Sequence, residues 1–232
     1  RKQGRYSEAE ELYVNTLESL RRLFGKDHSS TFATMVRLGI LRMDQGKLEE
    51  AEQLLAHAQK GQQVQYSYGE MSLPPATLGA LAVLRCKQER YAEARQLFEK
   101  VLKTRQEKWD DDHPAILVTR HEFGVLCREQ GSYEEAETFL TQAVEGRVVK
   151  LGPDHPDTLK SKYELAVLCL SQTQYDQAET LLLQALEGMR TKLGDGHPHT
   201  LQAWHALIDL YDDSQKPEQA DQWRAELPIS GP

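Results

Sequence analysis

The residues able to do chemistry recur at set places in this chain. His113-Pro114, His155-Pro156 and His197-Pro198 lie 42 residues apart, and so do Cys127 and Cys169. Asp110, Asp111 and Asp112 form an acidic run. His121-Glu122 and Glu164 supply the imidazole and carboxylates that proton transfer uses. Zinc ligands must converge within about 2 Å of one ion, whereas packed helices lie about 8–10 Å apart. Histidines one period apart therefore read as structural, and no metal is expected. A calcium loop needs ligands at alternating positions and a closing Glu, so the Asp triplet reads as a solvated loop before a helix. Cys86, Cys127 and Cys169 are an odd set and read as small buried hydrophobes in a reducing, cytoplasmic setting. An acid–base set on solvated helix faces reads as spectators. No glycine-rich phosphate loop, HExxH, GxSxG or Cys-X-X-Cys occurs. An enzyme is not expected, and no cofactor is implied.

The spacing itself is the stronger signal. Ala9, Ala51, Ala94, Ala136, Ala178 and Ala220 are separated by 42, 43, 42, 42 and 42 residues. Three residues before each stands Tyr6, Leu48, Tyr91, Tyr133, Tyr175 or Pro217. A fixed period of this size marks a repeat architecture. The stretch 151–178 is one clear copy. Two helices, A then B, fit each period. The reading is a single array over 1–232: a partial repeat at 1–27 with helix B alone, full repeats at 28–70, 71–112, 113–154 and 155–196, and a last repeat at 197–232 with a short capping helix from Glu218 to Glu226. Gly4-Arg5-Tyr6 is expected to turn, with Ser7 as the N-cap of the first helix and Gly25 as its C-terminal glycine. Proline after each histidine suits a helix first turn, where its missing N–H costs nothing. The linker from Tyr68 to Pro75 is irregular, with Leu73-Pro74-Pro75 in place of His-Pro. The tail Gly231-Pro232 is expected to follow the last helix.

Net charge is −8. That argues against a general nucleic-acid binder or an anionic-membrane binder, both of which need a basic face. No run of 18 apolar residues exists, so no transmembrane helix is expected. The chain opens Arg1-Lys2-Gln3, without Met and in mid-repeat. It is expected to be a piece of a longer polypeptide.

Small residues Gly39, Gly124 and Ala166 lie 12 before Ala51, Ala136 and Ala178. Leu38, Leu81, Phe123 and Leu165 supply a bulky residue near that place, and Leu55, Phe98, Leu140 and Leu182 follow four after the alanine. This pattern is similar to the tetratricopeptide repeat. The period and the linker KLGPDHPDTL at 150–159 resemble the long subtype of kinesin light chains and of many bacterial and fungal signalling proteins. The ending at 207–227 resembles the close of bacterial arrays, some of them attached to kinases.

The resemblance implies an all-α solenoid, a right-handed superhelix of antiparallel helix pairs whose A helices line a concave groove. Groove positions then include Val36, Arg37, Ile40 and Met43; Val83; His121, Glu122, Val125 and Arg128; Lys160, Tyr163, Glu164 and Val167; and His205, Asp209 and Asp212. The groove runs from apolar through mixed to acidic. Kinesin light chains carry asparagines on helix A, whereas the single Asn here, Asn15, lies on a B helix. The expected role is a non-catalytic scaffold that binds a protein or peptide in the groove, within a larger signalling protein. A structural role in self-association, with the lone first helix packing on another domain or protomer, is the alternative.

Overall fold

The computed structural model describes residues 2–67 and 74–228, with side chains at 7–64 and 74–228. The linker expected at 68–75 falls largely outside the described residues, and Gly231-Pro232 lies outside them entirely. Two compact units emerge, Arg1–Lys108 and Trp109–Pro232. The first contains α1 (Lys2–Phe24), α2 (Ser29–Asp44), α3 (Leu48–Ser67), α4 (Pro75–Lys87) and α5 (Tyr91–Gln106). The second contains α6 (Pro114–Glu129), α7 (Tyr133–Leu151), α8 (Pro156–Ser171), α9 (Tyr175–Leu193), α10 (Pro198–Asp213) and α11 (Pro217–Glu226). No strand is present among the described residues. None of the helices is long and apolar enough to cross a membrane.

The repeat explains the packing. A helices are α2, α4, α6, α8 and α10, and each packs on the B helix that follows it. Ala51, Ala94, Ala136, Ala178 and Ala220 are fully buried. Only a methyl fits there, because the two helices approach closely. A Cβ on Gly39 would stand 3.0 Å from Leu55 Cγ, and one on Gly124 would stand 2.7 Å from Leu140 Cγ. A second notch lies lower on the B helix. A Cβ on Gly61 would stand 2.0 Å from the Phe32 ring, and one on Gly146 would stand 2.4 Å from Leu117 Cδ2.

Consecutive A helices also touch one another, α2 with α4, α6 with α8, and α8 with α10. Each fully buried leucine contributes about 1.5–3 kcal/mol, so the seams between helices carry most of the stability.

Two turn expectations need correction. Gly4-Arg5-Tyr6 does not turn, since the backbone is helical from Lys2, and Ser7 is therefore no N-cap. Inside the later repeats the chain reverses between helices A and B through one left-handed residue, five before the alanine: Gly46, Glu89, Gly131, Thr173 and Gln215, with φ between 58° and 76°. Two described residues precede Gly4, and the backbone there stays helical. Gly25 does end α1, with φ 91° and its N–H on Arg21 O.

Candidate protein-binding surface

The periodic histidines cap helices. His28, His113, His155 and His197 occupy the N-cap positions of α2, α6, α8 and α10. Each Nδ1 accepts from a backbone N–H two residues on, at 3.1 to 3.3 Å. After His113, His155 and His197 the proline that follows has no N–H to satisfy, so the imidazole serves the first free donor, whereas Ser29 follows His28. The Asp triplet is also engaged. Arg120 donates to the carbonyl and carboxylate of Asp111 at 2.8 and 2.7 Å, and Lys150 meets Asp112 at 2.8 Å. No group of three metal-binding side chains converges among the described residues.

In the C-terminal unit, the outward faces of α6, α8 and α10 bring many expected groove residues together. Glu122, Val125 and Arg128 are half-buried on α6, as are Lys160, Tyr163, Glu164 and Val167 on α8. His205, Asp209 and Asp212 are exposed on α10. Charges cross from helix to helix: Arg128 meets Glu164 at 3.3 Å, and Lys160 meets Glu122 at 3.9 Å. Burial raises the Glu164 carboxyl above its usual range against the pull of Arg128, and burial raises the Tyr163 phenol with help from Glu164 and Asp209. Asp212 is held by Arg224 of α11. Asp209 makes no ion pair among the described residues, so it is a carboxylate presented to solvent beside the Tyr163 phenol.

In the N-terminal unit, Arg37 and Ile40 are exposed on α2 and Val83 is half-buried on α4. Val36 and Met43 do not reach the surface, being 5% and 4% exposed. His121 of the other unit is also buried, at 1%. The cause is common to all three. They sit three before or four after the small residue of helix A, where that helix meets the next A helix. At the same offsets α10 exposes His205 and Asp212, because no further A helix covers them among the described residues.

The sequence matches the tetratricopeptide repeat family over residues 1–63, 74–147 and 157–223. This chain belongs to the tetratricopeptide repeat family. No curated protein matches it. Its fold is similar to BtubC (BKLC) from P. vanneervenii, with a TM-score of 0.70 at 20% identity, covering 98% of this chain and 94% of that one. It is similar too to a putative kinesin light chain with nearly identical TPR-like repeats from Podosopora anserina, with a TM-score of 0.68 at 25% identity, covering 86% and 94%. PilW, a type IV pilus biogenesis factor, gives a TM-score of 0.67 at 14% identity, covering 97% and 86%. The chain is thus an all-α tetratricopeptide repeat solenoid, and such proteins are in general scaffolds for protein–protein interaction rather than catalysts.

The tetratricopeptide frame also reveals what the sequence reading missed. Arg147 of α7 is 4% exposed and donates to Ser161 Oγ at 2.6 Å and to the Asp157 carbonyl at 2.8 Å. Ser161 Oγ lies 3.1 Å from His121 Nδ1. The hydroxyl thus joins Arg147 to the imidazole in one buried hydrogen-bonded set. Burial first, then the charges of Arg147 and Lys160, hold His121 well below its ordinary value, so it is neutral. A serine beside a histidine invites a catalytic reading, but Ser161 is fully buried and presents no face to a substrate. The signal lay in the register. Arg147 stands eleven after its alanine, where Met189 and Gln62 are buried in other repeats.

Proposed function

We propose that the outward face of α6, α8 and α10 binds a peptide segment of a protein partner, apolar at its centre and basic at one end. The observation that supports this is the division of charge across the face. Glu122, Arg128, Lys160 and Glu164 neutralise one another between α6 and α8, and Val125, Val167 and Tyr163 leave an apolar strip among them. Of the expected groove carboxylates, Asp209 makes no ion pair among the described residues. A lysine or arginine of the ligand would meet Asp209, and an aliphatic side chain would cover Val125 and Val167. Arg37, Ile40 and Val83 form a smaller patch of mixed character on the N-terminal unit. The setting is cytoplasmic in this reading, in keeping with the reducing compartment expected from the odd set Cys86, Cys127 and Cys169.

A random peptide display library selected against the chain tests the reading. Enriched peptides should pair a basic residue with an aliphatic one. Asp209→Lys should remove the preference for the basic residue, and Val167→Glu should weaken binding about tenfold or more. Peptides that bind both variants as well as the parent would move the site off this face.

A further inference from the structure

The linker before α8 leaves open a place that the linker before α6 fills from its own sequence. Four positions correspond at a distance of 42 residues: Asp111 with Pro153, Asp112 with Asp154, Arg120 with Lys162, and Lys150 with Lys192. In the first set the cations are engaged. Arg120 donates to the Asp111 carbonyl at 2.8 Å and to its carboxylate at 2.7 Å, and Lys150 meets Asp112 at 2.8 Å. In the second set Pro153 has no carboxylate to offer. Lys162 is half-buried, Lys192 and Asp154 are exposed, and none of the three makes an ion pair among the described residues. A cleft of about 520 Å³ opens between them, lined also by Glu187, Gly188 and Thr191 of α9. Glu187 is exposed and likewise makes no ion pair among the described residues.

The volume falls within the range of small-molecule sites, about 300–1,000 Å³. The charges around it define the ligand. An ammonium group drawn half out of water without a counter-ion is costly, and Arg120 shows the remedy at the same place, a carboxylate. A simple anion would also face Asp154 and Glu187, so a ligand that suits all four groups carries a cation as well. We propose that the cleft binds a small zwitterion, an amino acid or a short peptide with both ends free. Its carboxylate would meet Lys162 and Lys192, in the place that Asp111 fills before α6. Its ammonium would meet Asp154 and Glu187. All these groups belong to the linker, α8 and α9, within one unit. Lys162 stands on the α9 side of α8, so the site is separate from the outward face of α6, α8 and α10.

The test titrates the isotope-labelled whole chain with L-alanine and with trialanine and follows backbone amide shifts by NMR. Saturable shifts should appear at Gly188, Thr191 and Lys192. Binding of L-alanine would assign an amino acid as the ligand, and binding of trialanine alone a peptide; either supports the proposal. Trialanine amide lacks the carboxylate and acetylated trialanine lacks the ammonium, and each should bind about tenfold more weakly. Lys162→Gln should weaken trialanine about tenfold and leave the amide unchanged. Glu187→Gln should do the same with the acetylated form as its control. Pro153→Asp combined with Lys162→Arg rebuilds the bridge seen before α6 and should abolish binding. Circular dichroism melting should show these surface variants folded. Three results would overturn the proposal: no saturable shift with either probe; blocked and free trialanine binding alike; or shifts that follow Val167→Glu instead of Lys162→Gln, meaning that the probe sits on the face of α6, α8 and α10.

Discussion

The two units hold their repeats together differently at one shared register. Three residues after the small residue of helix A, the N-terminal unit places Arg42 and Arg85, whereas the C-terminal unit places Cys127, Cys169 and Tyr211. Arg42 bridges Glu10 at 2.7 Å and Glu50 at 3.0 Å, and Gln45 supports both Arg42 and Glu10 at 2.9 Å. Arg85 and Gln88 repeat the arrangement around Glu52. In the other unit Cys127 and Cys169 are buried, the Cys127 thiol donates to Glu135 Oε2 at 4.0 Å, and burial pushes the Cys169 thiol up to about 11, so it stays protonated and inert. Tyr211 keeps a polar seam, donating to Glu179 at 2.8 Å, and the unit adds a buried set in Arg147, Ser161 and His121. The first arrangement is wet, tolerant of substitution and open to salt. The second is dry, and each partner left alone in it becomes costly. Register sets where a side chain stands, while burial sets what its loss means.

The strongest test asks whether the units are alike where their sequences agree. Ala51→Asp and Ala136→Asp should each cost about 3 kcal/mol or more, because either buries a charge where two helices touch. Thermal melting checks this, and an unchanged melt would break the shared register. The glycine notches should then separate the units. Gly61→Ala drives a methyl into the flat Phe32 ring and should cost about 2–3 kcal/mol, whereas Gly146→Ala meets the tip of Leu117, which can rotate, and should cost about 1 kcal/mol. Equal losses would mean that the Phe32 ring yields as readily as a leucine.

Acid should separate them further. His121 lies below its unfolded value of about 6.5, so on acidification the unfolded chain takes up the proton first. The contribution of His121 is complete above that pH and declines below it. The raised carboxyl of Glu164 opposes this as pH approaches the carboxylate range. Glu10 and Glu52 are lowered, chiefly by hydrogen bonds from Gln45 and Gln88, so their contribution persists until pH falls below about 4.5. Trp109, Trp204 and Trp223 all lie in the C-terminal unit, so tryptophan fluorescence reports on that unit. Between pH 6.5 and about 5 its melting should fall. Ser161→Ala should lower it by about 1–3 kcal/mol at neutral pH by stranding Arg147 and His121. The smallest effect belongs to the wet seam. Arg42→Met should cost less than about 1 kcal/mol and should remove part of the salt dependence of the N-terminal unit.

The sequence made the helix pairs legible because close packing leaves few choices. A methyl at Ala136 and a bare backbone at Gly124 are demanded by neighbours that themselves recur. The binding face was read less fully. Val36, Met43 and His121 lie on the correct side of their helices, but that side is shared between the open face and the seam to the next A helix. Only the distance between neighbouring A helices divides one from the other, and a single-helix pattern does not contain it. The histidine caps were hidden for another reason. His-Pro drew attention to the proline and to metal chemistry, while the working atom, Nδ1, bonds a backbone donor that has no letter in the sequence.

The left-handed residue between helices A and B carries a last consequence. Glycine fills it at Gly46 and Gly131, but Glu89, Thr173 and Gln215 accept the same backbone at an intrinsic cost of about 1–2 kcal/mol each. The helices on either side therefore dictate the bend, and the side chain at its apex is released from encoding it. Each hairpin tip becomes a position where a lineage can write new surface chemistry, acidic, hydroxyl or amide, one mark per repeat, without rewriting the architecture beneath.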